Sequence, residues 1–391
     1  MPSPWPAEAR RTLLPYVSFV LTGMINTIFG PLLPWLTARF ALSDAEAGLL
    51  FTLELTASVA AGIVSGLAVA RFGFRRTAGT GAVCSMLGVA GLALPSRSAV
   101  AAAGCLAGIG IGLIIPSMNL LVSKSSRGRS AAAVSGLNVA WSAGAMAWPL
   151  VVAIGAERAL AALAIALLLA AAWCFRGNGD GVGGRASAAP PLPQVTGLGG
   201  AALFGWLFVV YVGVETGVGG WLTQYTARAG AAASGTFVLL PAAGFWGGGM
   251  VGRVIAAWRL TDASESAVTL GGCALACIGI GALLIARQPD VMLLAAIVTG
   301  FGLAPIFPST VAALSRAVPP RIAAGLIAAG GLGGATLPWI VGGASTWCGD
   351  ARCGQRVLLA ACVALTVLHA VRIGRTRAAF VPPQMNTDAH G

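Results

Sequence analysis

Hydrophobicity divides this chain into runs of about 18–25 residues in which almost every side chain is apolar, joined by short polar connectors. Twelve can be drawn: 12–36, 47–70, 78–95, 99–122, 131–154, 157–175, 199–222, 232–252, 266–286, 290–314, 321–345 and 356–373. Nothing else constrains the fold so strongly. A helix needs roughly 20 apolar residues to cross the hydrocarbon of a bilayer. The runs are unbroken rather than alternating, which excludes the strands of a membrane barrel. An aqueous globule has no room to hide them. The chain is 57% hydrophobic and 9% charged, where soluble domains carry about 25% charged residues. The sequence predicts an all-α integral membrane protein with twelve transmembrane helices.

The net charge of +12 would suggest nucleic acid in a soluble protein. Here its distribution suggests a membrane orientation instead. With the N-terminus inside, 17 of the 24 Lys and Arg fall on the inner side, among them Arg71, Arg75, Arg76 and Lys124. That bias is the signature of cytoplasmic loops. It predicts both termini in the cytoplasm of a multi-pass protein of the bacterial inner membrane, with lipids as neighbours and no nucleic acid as partner. The first run is too long for a signal-peptide core and is expected to remain as the first helix.

Residues 176–198, RGNGDGVGGRASAAPPLPQVTGL, form the one long polar stretch and read as a flexible linker. It separates 1–175, a six-helix unit, from 199–391, a second six-helix unit with a tail. The units carry related segments. GIGIGLIIPS (108–117) is followed by Pro149, and GFGLAPIFPS (300–309) by Pro338, at offsets of 192 and 189 positions. Such a pair suggests duplication of a six-helix unit, parallel about an axis along the membrane normal.

The stretch GLAVARFGFRR (66–76) joins the second and third runs. Together with the six-plus-six layout, GPLLPWL (30–36) and LSDAEAGLLFT (42–52), it resembles the major facilitator superfamily. Gly66, Arg71, Gly73, Arg75 and Arg76 match that family's loop signature, with Ala70 at its acidic position. After the eighth run only Gly252, Arg253 and Arg259 are left of the equivalent loop. YVGVETGVGGWLTQY (211–225) and GGGMVGR (247–253) look most like the fucose and glucose symporter branch. The resemblance implies two six-helix bundles rocking about a site near the bilayer midplane, with helices 1, 2, 7 and 8 lining the cavity. The arginines of the 66–76 connector either only orient the hairpin at the anionic leaflet or also latch the cytoplasmic side.

Polar groups within the runs are few. Glu54 and Glu215 are the acids well inside apolar sequence, both assigned to the outer half, and neither has an evident ion-pair partner on its own helix or another. An acid at the bilayer centre is costly and usually faces the bundle interior. Burial favours a protonated carboxyl, so at least one is expected to carry a coupling proton; the alternative is a neutral, hydrogen-bonded structural glutamate. Ser58 and Tyr211 lie one turn from them. Asn26, Asn119, Asn138, Trp141, Tyr211, Trp221, Gln224 and Trp246 are the expected substrate-binding residues. Ser135, Asn138, Trp141 and Ser142 share a face of the fifth helix, either lining a polar cavity or bonding helices together. The GVGG run at 217–220 suggests a bend or unwound turn in helix 7. Fucose-type symporters carry acids in helices 1 and 4, where this chain has Asn26 and Asn119.

Together these features point to a secondary active transporter, most simply a proton-linked importer of a sugar or small polar metabolite. A drug or metabolite efflux antiporter is the alternative. Its family pattern of Gly-Pro and Gly-Gly in helix 5 is reduced here to Gly136, Gly144 and Trp148-Pro149. An enzyme would need converging acid, base or metal groups. The only histidines are His369 and His390, and no Gly-Lys-Ser/Thr phosphate loop exists. No catalytic residue, metal or cofactor is therefore expected, and the carrier is expected to act as a monomer. Cys348 and Cys353 fall in a predicted outer loop, where a disulfide and two free thiols are both open.

Overall fold

The structure is a computed structural model that describes residues 7–125, 130–176, 198–229, 235–259 and 265–379. All regular structure among them is helical: α1 (Ala7–Asn26), α2 (Phe29–Phe40), α3 (Asp44–Phe72), α4 (Phe74–Gly91), α5 (Arg97–Ser125), α6 (Ser130–Val152), α7 (Ala156–Arg176), α8 (Leu198–Ala229), α9 (Leu240–Arg259), α10 (Glu265–Ile285), α11 (Pro289–Leu303), α12 (Ile306–Ala317), α13 (Pro320–Cys348) and α14 (Ala351–Ala379). A 3-10 turn, Gly235–Leu239, precedes α9. The predicted linker, apart from its edges, lies outside the described residues.

With α1–α2 and α11–α12 each forming one crossing, the predicted helices are all present. Ten segments are long and apolar enough to span a bilayer. The helices α4, with Arg75 and Arg76 in its first turn, and α6, rich in Ala, Gly and Ser, reach the length but not the hydropathy. They are packed against α5 and α7, and against α1 and α9, respectively.

The first crossing is broken where the apolar run gave no warning. Pro31 lies four residues after Thr27, so its ring excludes a helical carbonyl there. The helix stops at Asn26 and restarts at Phe29. At the break the Trp148 indole donates to Ile28 O at 3.1 Å. The tenth crossing breaks at Ala304–Pro305 in the same way. The predicted break at 217–220 does not occur: α8 is continuous. Those glycines serve close packing instead. A Cβ on Gly219 would sit 2.4 Å from Trp246, and one on Gly220 2.7 Å from Phe51.

Between α3 and α4 the chain turns on the single residue Gly73, at φ 83° and ψ 166°. That region is open essentially to glycine alone, at about 1–3 kcal/mol for other residues. Gly73→Ala is therefore expected to lower the melting temperature of the purified protein by several degrees. An unchanged melting curve would show that the turn relaxes freely. Arg71 lies over the Phe72 ring, 5.7 Å from its centroid. Among the described residues, neither Arg71 nor Arg76 forms an ion pair with an acid.

At the other end, Ser43 and Glu46 form a reciprocal capping box that starts α3. The Ser43 end and the Gly73 end are thus the two faces of the bundle, and they differ. At the Ser43 end, α3 and α13 meet along a seam of small residues. A Cβ on Gly342 would be 2.2 Å from Asp44 O, and one on Gly48 2.8 Å from Trp339 Cα. Thr52 donates to Ala335 O at 2.5 Å, and a Cβ on Gly331 would reach Val59 at 2.4 Å. Arg228 of α8 pairs with Asp44 of α3 at 2.5 Å, and Ala45 N donates to Thr346. In lipid such close backbone approach, rather than a hydrophobic drive, holds helices together. Further along the same faces, Ile63 is exposed, and Gly66 and Gly325 meet nothing within 4 Å. The helices part toward the Gly73 end. Cys348 and Cys353 form a disulfide linking α13 to α14 at the Ser43 end.

Glycine contacts repeat along the chain. Gly108 faces Glu54 O and Gly300 faces Phe245 O, while Gly144 faces Val20 O and Gly333 faces Val209 O. The members of each pair are separated by the same 192 and 189 positions as the matching sequence segments.

Candidate functional site

The middle of the bundle holds a cavity of about 570 Å³, within the range of about 300–1,000 Å³ usual for small-molecule sites. Its polar lining comes from Asn26 on α1, Ser135, Asn138 and Trp141 on α6, Glu215 on α8 and Arg253 on α9. Phe19, Ile115, Val139, Val212, Phe307 and Pro308 supply most of the rest.

One expectation is corrected here. Glu215 lies 17 residues from the start of α8 and 14 from its end, close to mid-depth and slightly toward the Ser43 end, but it is not without a partner. Its Oε1 accepts from Arg253 at 2.5 Å and from the Tyr211 hydroxyl at 2.9 Å. The apolar run ended at Gly252, which put Arg253 in a connector. The helix α9 instead continues to Arg259 and carries Arg253 into the bundle.

Arg253 joins the two parts of the chain. One guanidinium nitrogen holds Glu215, and the other donates to Ser142 Oγ of α6 at 2.7 Å. The guanidinium also sits 5.8 Å from the centre of the Trp141 ring, a cation–π distance. Trp141 in turn meets Trp246 edge to face, with centroids 5.5 Å apart. The Arg253 and Glu215 side chains keep 19% and 17% of their surface, so both remain reachable from the cavity. A charge pair this secluded persists only when both members stay matched.

The sequence-predicted residues separate into two groups. Asn26, Asn138, Trp141 and Glu215 line the cavity, with Tyr211 and Trp246 directly behind them. Asn119, Trp221, Gln224 and Glu54 lie elsewhere. The Trp221 indole donates to Pro338 O at 2.9 Å, and Gln224 reaches Thr37 at the Ser43 end. Glu54 is buried on α3 against Gly108, and its Oε1 meets no donor among the described residues. Ser142 answers both readings of the α6 stripe. It bonds across helices, while Ser135, Asn138 and Trp141 face the cavity. Arg253 was missed because an arginine closing an apolar run looks like a helix end. The apolar VIAAW that follows is the signal that the helix goes on.

The profile of the Major Facilitator Superfamily matches residues 16–343. No curated protein sequence is similar enough to match. Solved structures with the same fold include a D-xylose–proton symporter at 16% identity and TM-score 0.78, covering 93% of this chain and 97% of the other. A peptide transporter, POT, in complex with sulfate matches at 12% identity and TM-score 0.76, covering 94% of each chain. The E. coli fucose:proton symporter matches at 14% identity and TM-score 0.59, covering 92% and 98%. At such identities the likeness is one of fold. The chain belongs to the Major Facilitator Superfamily and is a multi-pass membrane transporter rather than an enzyme.

Proposed function

We propose that this transporter imports a sugar or another small polar solute together with a proton, by alternating access to the central cavity. One observation carries the reading: among the described residues the cavity contains a single ion pair, Glu215–Arg253, tied through Ser142 to the other half of the chain. The pair offers a carboxylate that can take up a proton and a cation that must then find another partner.

The arginine bias supports a cytoplasmic Gly73 end and an outer Ser43 end. The closed α3–α13 seam is then the outer gate, and the arrangement is that of an inward-open carrier. In that state Glu215 and Arg253 neutralise each other, so the empty carrier can reorient without an unpaired buried charge. Residues 1–175 and 199–391 are the two bodies that rock. The protein acts as a monomer in the bacterial inner membrane. Glu54, remote from the cavity, has no part in this scheme.

The apolar share of the cavity wall favours a second reading, outward exchange of an amphipathic compound for protons. One experiment separates the two. Proteoliposomes are offered a panel of sugars, small acids and amphipathic dyes, with and without a pH gradient. Symport predicts saturable uptake, accumulating roughly tenfold for each unit of inside-alkaline gradient when one proton moves per neutral solute. Dye extrusion driven by protons entering from the other side would overturn it.

A further inference from the structure

Among small polar solutes, we infer that the cavity takes a monocarboxylate with an apolar body, whose carboxylate replaces Glu215 as the partner of Arg253 while Glu215 holds the co-transported proton. The inference rests on the cavity being the transport site and goes one step further, to the charge of its occupant.

The step follows from counting charges. In the structure the site holds one cation and one anion in contact. Arg253 cannot shed its proton, so it needs an anion in every state of the cycle. With a neutral solute, protonation of Glu215 would leave the guanidinium only Ser142 and the Trp141 ring, a costlier state than one with a new anion. A cationic solute would have to displace Arg253 from the Glu215 carboxylate. A dianion would leave one negative charge unmatched. A monoanion arriving with one proton keeps the site neutral. The proton passes from solution to a Glu215 carboxylate oxygen, the Arg253–Glu215 contact opens, and the solute carboxylate closes on the guanidinium.

The geometry suits that exchange. The planar guanidinium presents parallel N–H donors that match a carboxylate. Tyr211 and Arg253 are the titratable groups touching Glu215, and protonated Glu215 can still accept from Tyr211. Phe19, Val139, Val212 and Phe307, which line the same cavity, offer apolar wall for the remainder of the solute. Asn26 and Asn138 supply the few further polar contacts.

Calorimetry of the full-length purified protein tests this with benzoate and its neutral isostere benzamide, in buffers of different ionisation enthalpy. Benzoate is expected to bind at least tenfold more tightly than benzamide, with about one proton taken up per benzoate. Glu215→Gln should bind benzoate without proton uptake, and Arg253→Gln should bind the two probes alike. Arg253→Lys keeps the charge without the fork; it should weaken benzoate yet retain the proton. Equal binding of the two probes by the unaltered protein, binding of neither, or benzoate bound without a proton would overturn the assignment. The underlying reading fails separately. If Ser135→Trp, which fills the cavity, leaves uptake of xylose or benzoate into proteoliposomes unchanged, the cavity is not the transport site. If that variant stops uptake while benzamide binds as well as benzoate, only the anion assignment falls.

Discussion

Glu215→Gln is expected to abolish gradient-driven accumulation while leaving solute exchange across the membrane intact. The amide has nearly the shape of the carboxyl and can still accept from Tyr211. It can neither take up a proton nor balance Arg253. In proteoliposomes the internal-to-external ratio should fall from roughly tenfold per pH unit to one, while exchange between equal internal and external pools continues. The variant carries a second cost. Stranding a secluded guanidinium costs about 3–5 kcal/mol when fully buried, and less here because Arg253 retains 19% of its surface. The double variant Glu215→Gln/Arg253→Gln removes that charge. It is expected to recover thermal stability without recovering accumulation. Accumulation by Glu215→Gln at the unaltered level would remove Glu215 from the coupling step.

Gly48→Val is expected to lower transport by about 100-fold without unfolding the protein. A Cβ at this position would lie 2.8 Å from Trp339 Cα and 3.0 Å from Pro338 O. Both are backbone atoms, so no side chain can swing aside. The clash exists only when the α3–α13 seam is shut, and it should hold the Ser43 end apart. Overpacking costs typically about 1–3 kcal/mol. The upper end of that range shifts the balance between the two states about 100-fold. Gly271→Ala is the control, since nothing lies within 4 Å of that Cβ, and it should transport normally. Full activity in Gly48→Val would mean that the seam need not close during the cycle.

What could be read from the sequence follows from what lipid demands of a chain. Runs such as 99–122 announce crossings because every backbone group must be satisfied within a helix. The duplicated GIGIG and GFGLA segments mark equivalent packing sites, since only glycine admits the Glu54 and Phe245 carbonyls so closely. The stripe Ser135–Asn138–Trp141 and the pairing of Tyr211 with Glu215 are local features with a helical period, and periodicity exposes them. The partner of Glu215 was hidden because it lies 38 positions away on another helix, and no local pattern links the two. GVGG suggested flexibility, yet in a bundle it records how closely Trp246 and Phe51 approach. Trp221 and Gln224 had the chemistry of a binding residue, but the Trp221 indole is taken by the Pro338 carbonyl and Gln224 lies against Thr37 and Arg228 at the Ser43 end. The break after Asn26 needs Pro31 to be read against the carbonyl four residues before it, rather than as one more apolar position.

Paired spin labels test the central claim most directly. One pair, at Ala38 and Ala227, reports the Ser43 end; the other, at Leu67 and Ile322, reports the Gly73 end. All four positions are exposed. In liposomes, addition of a transported solute at acidic pH should lengthen distances in the first pair while shortening those in the second. The account predicts this reciprocal change, and its reversal at alkaline pH without solute. Distances that stay fixed, or that open at both ends together as in a channel, would contradict it.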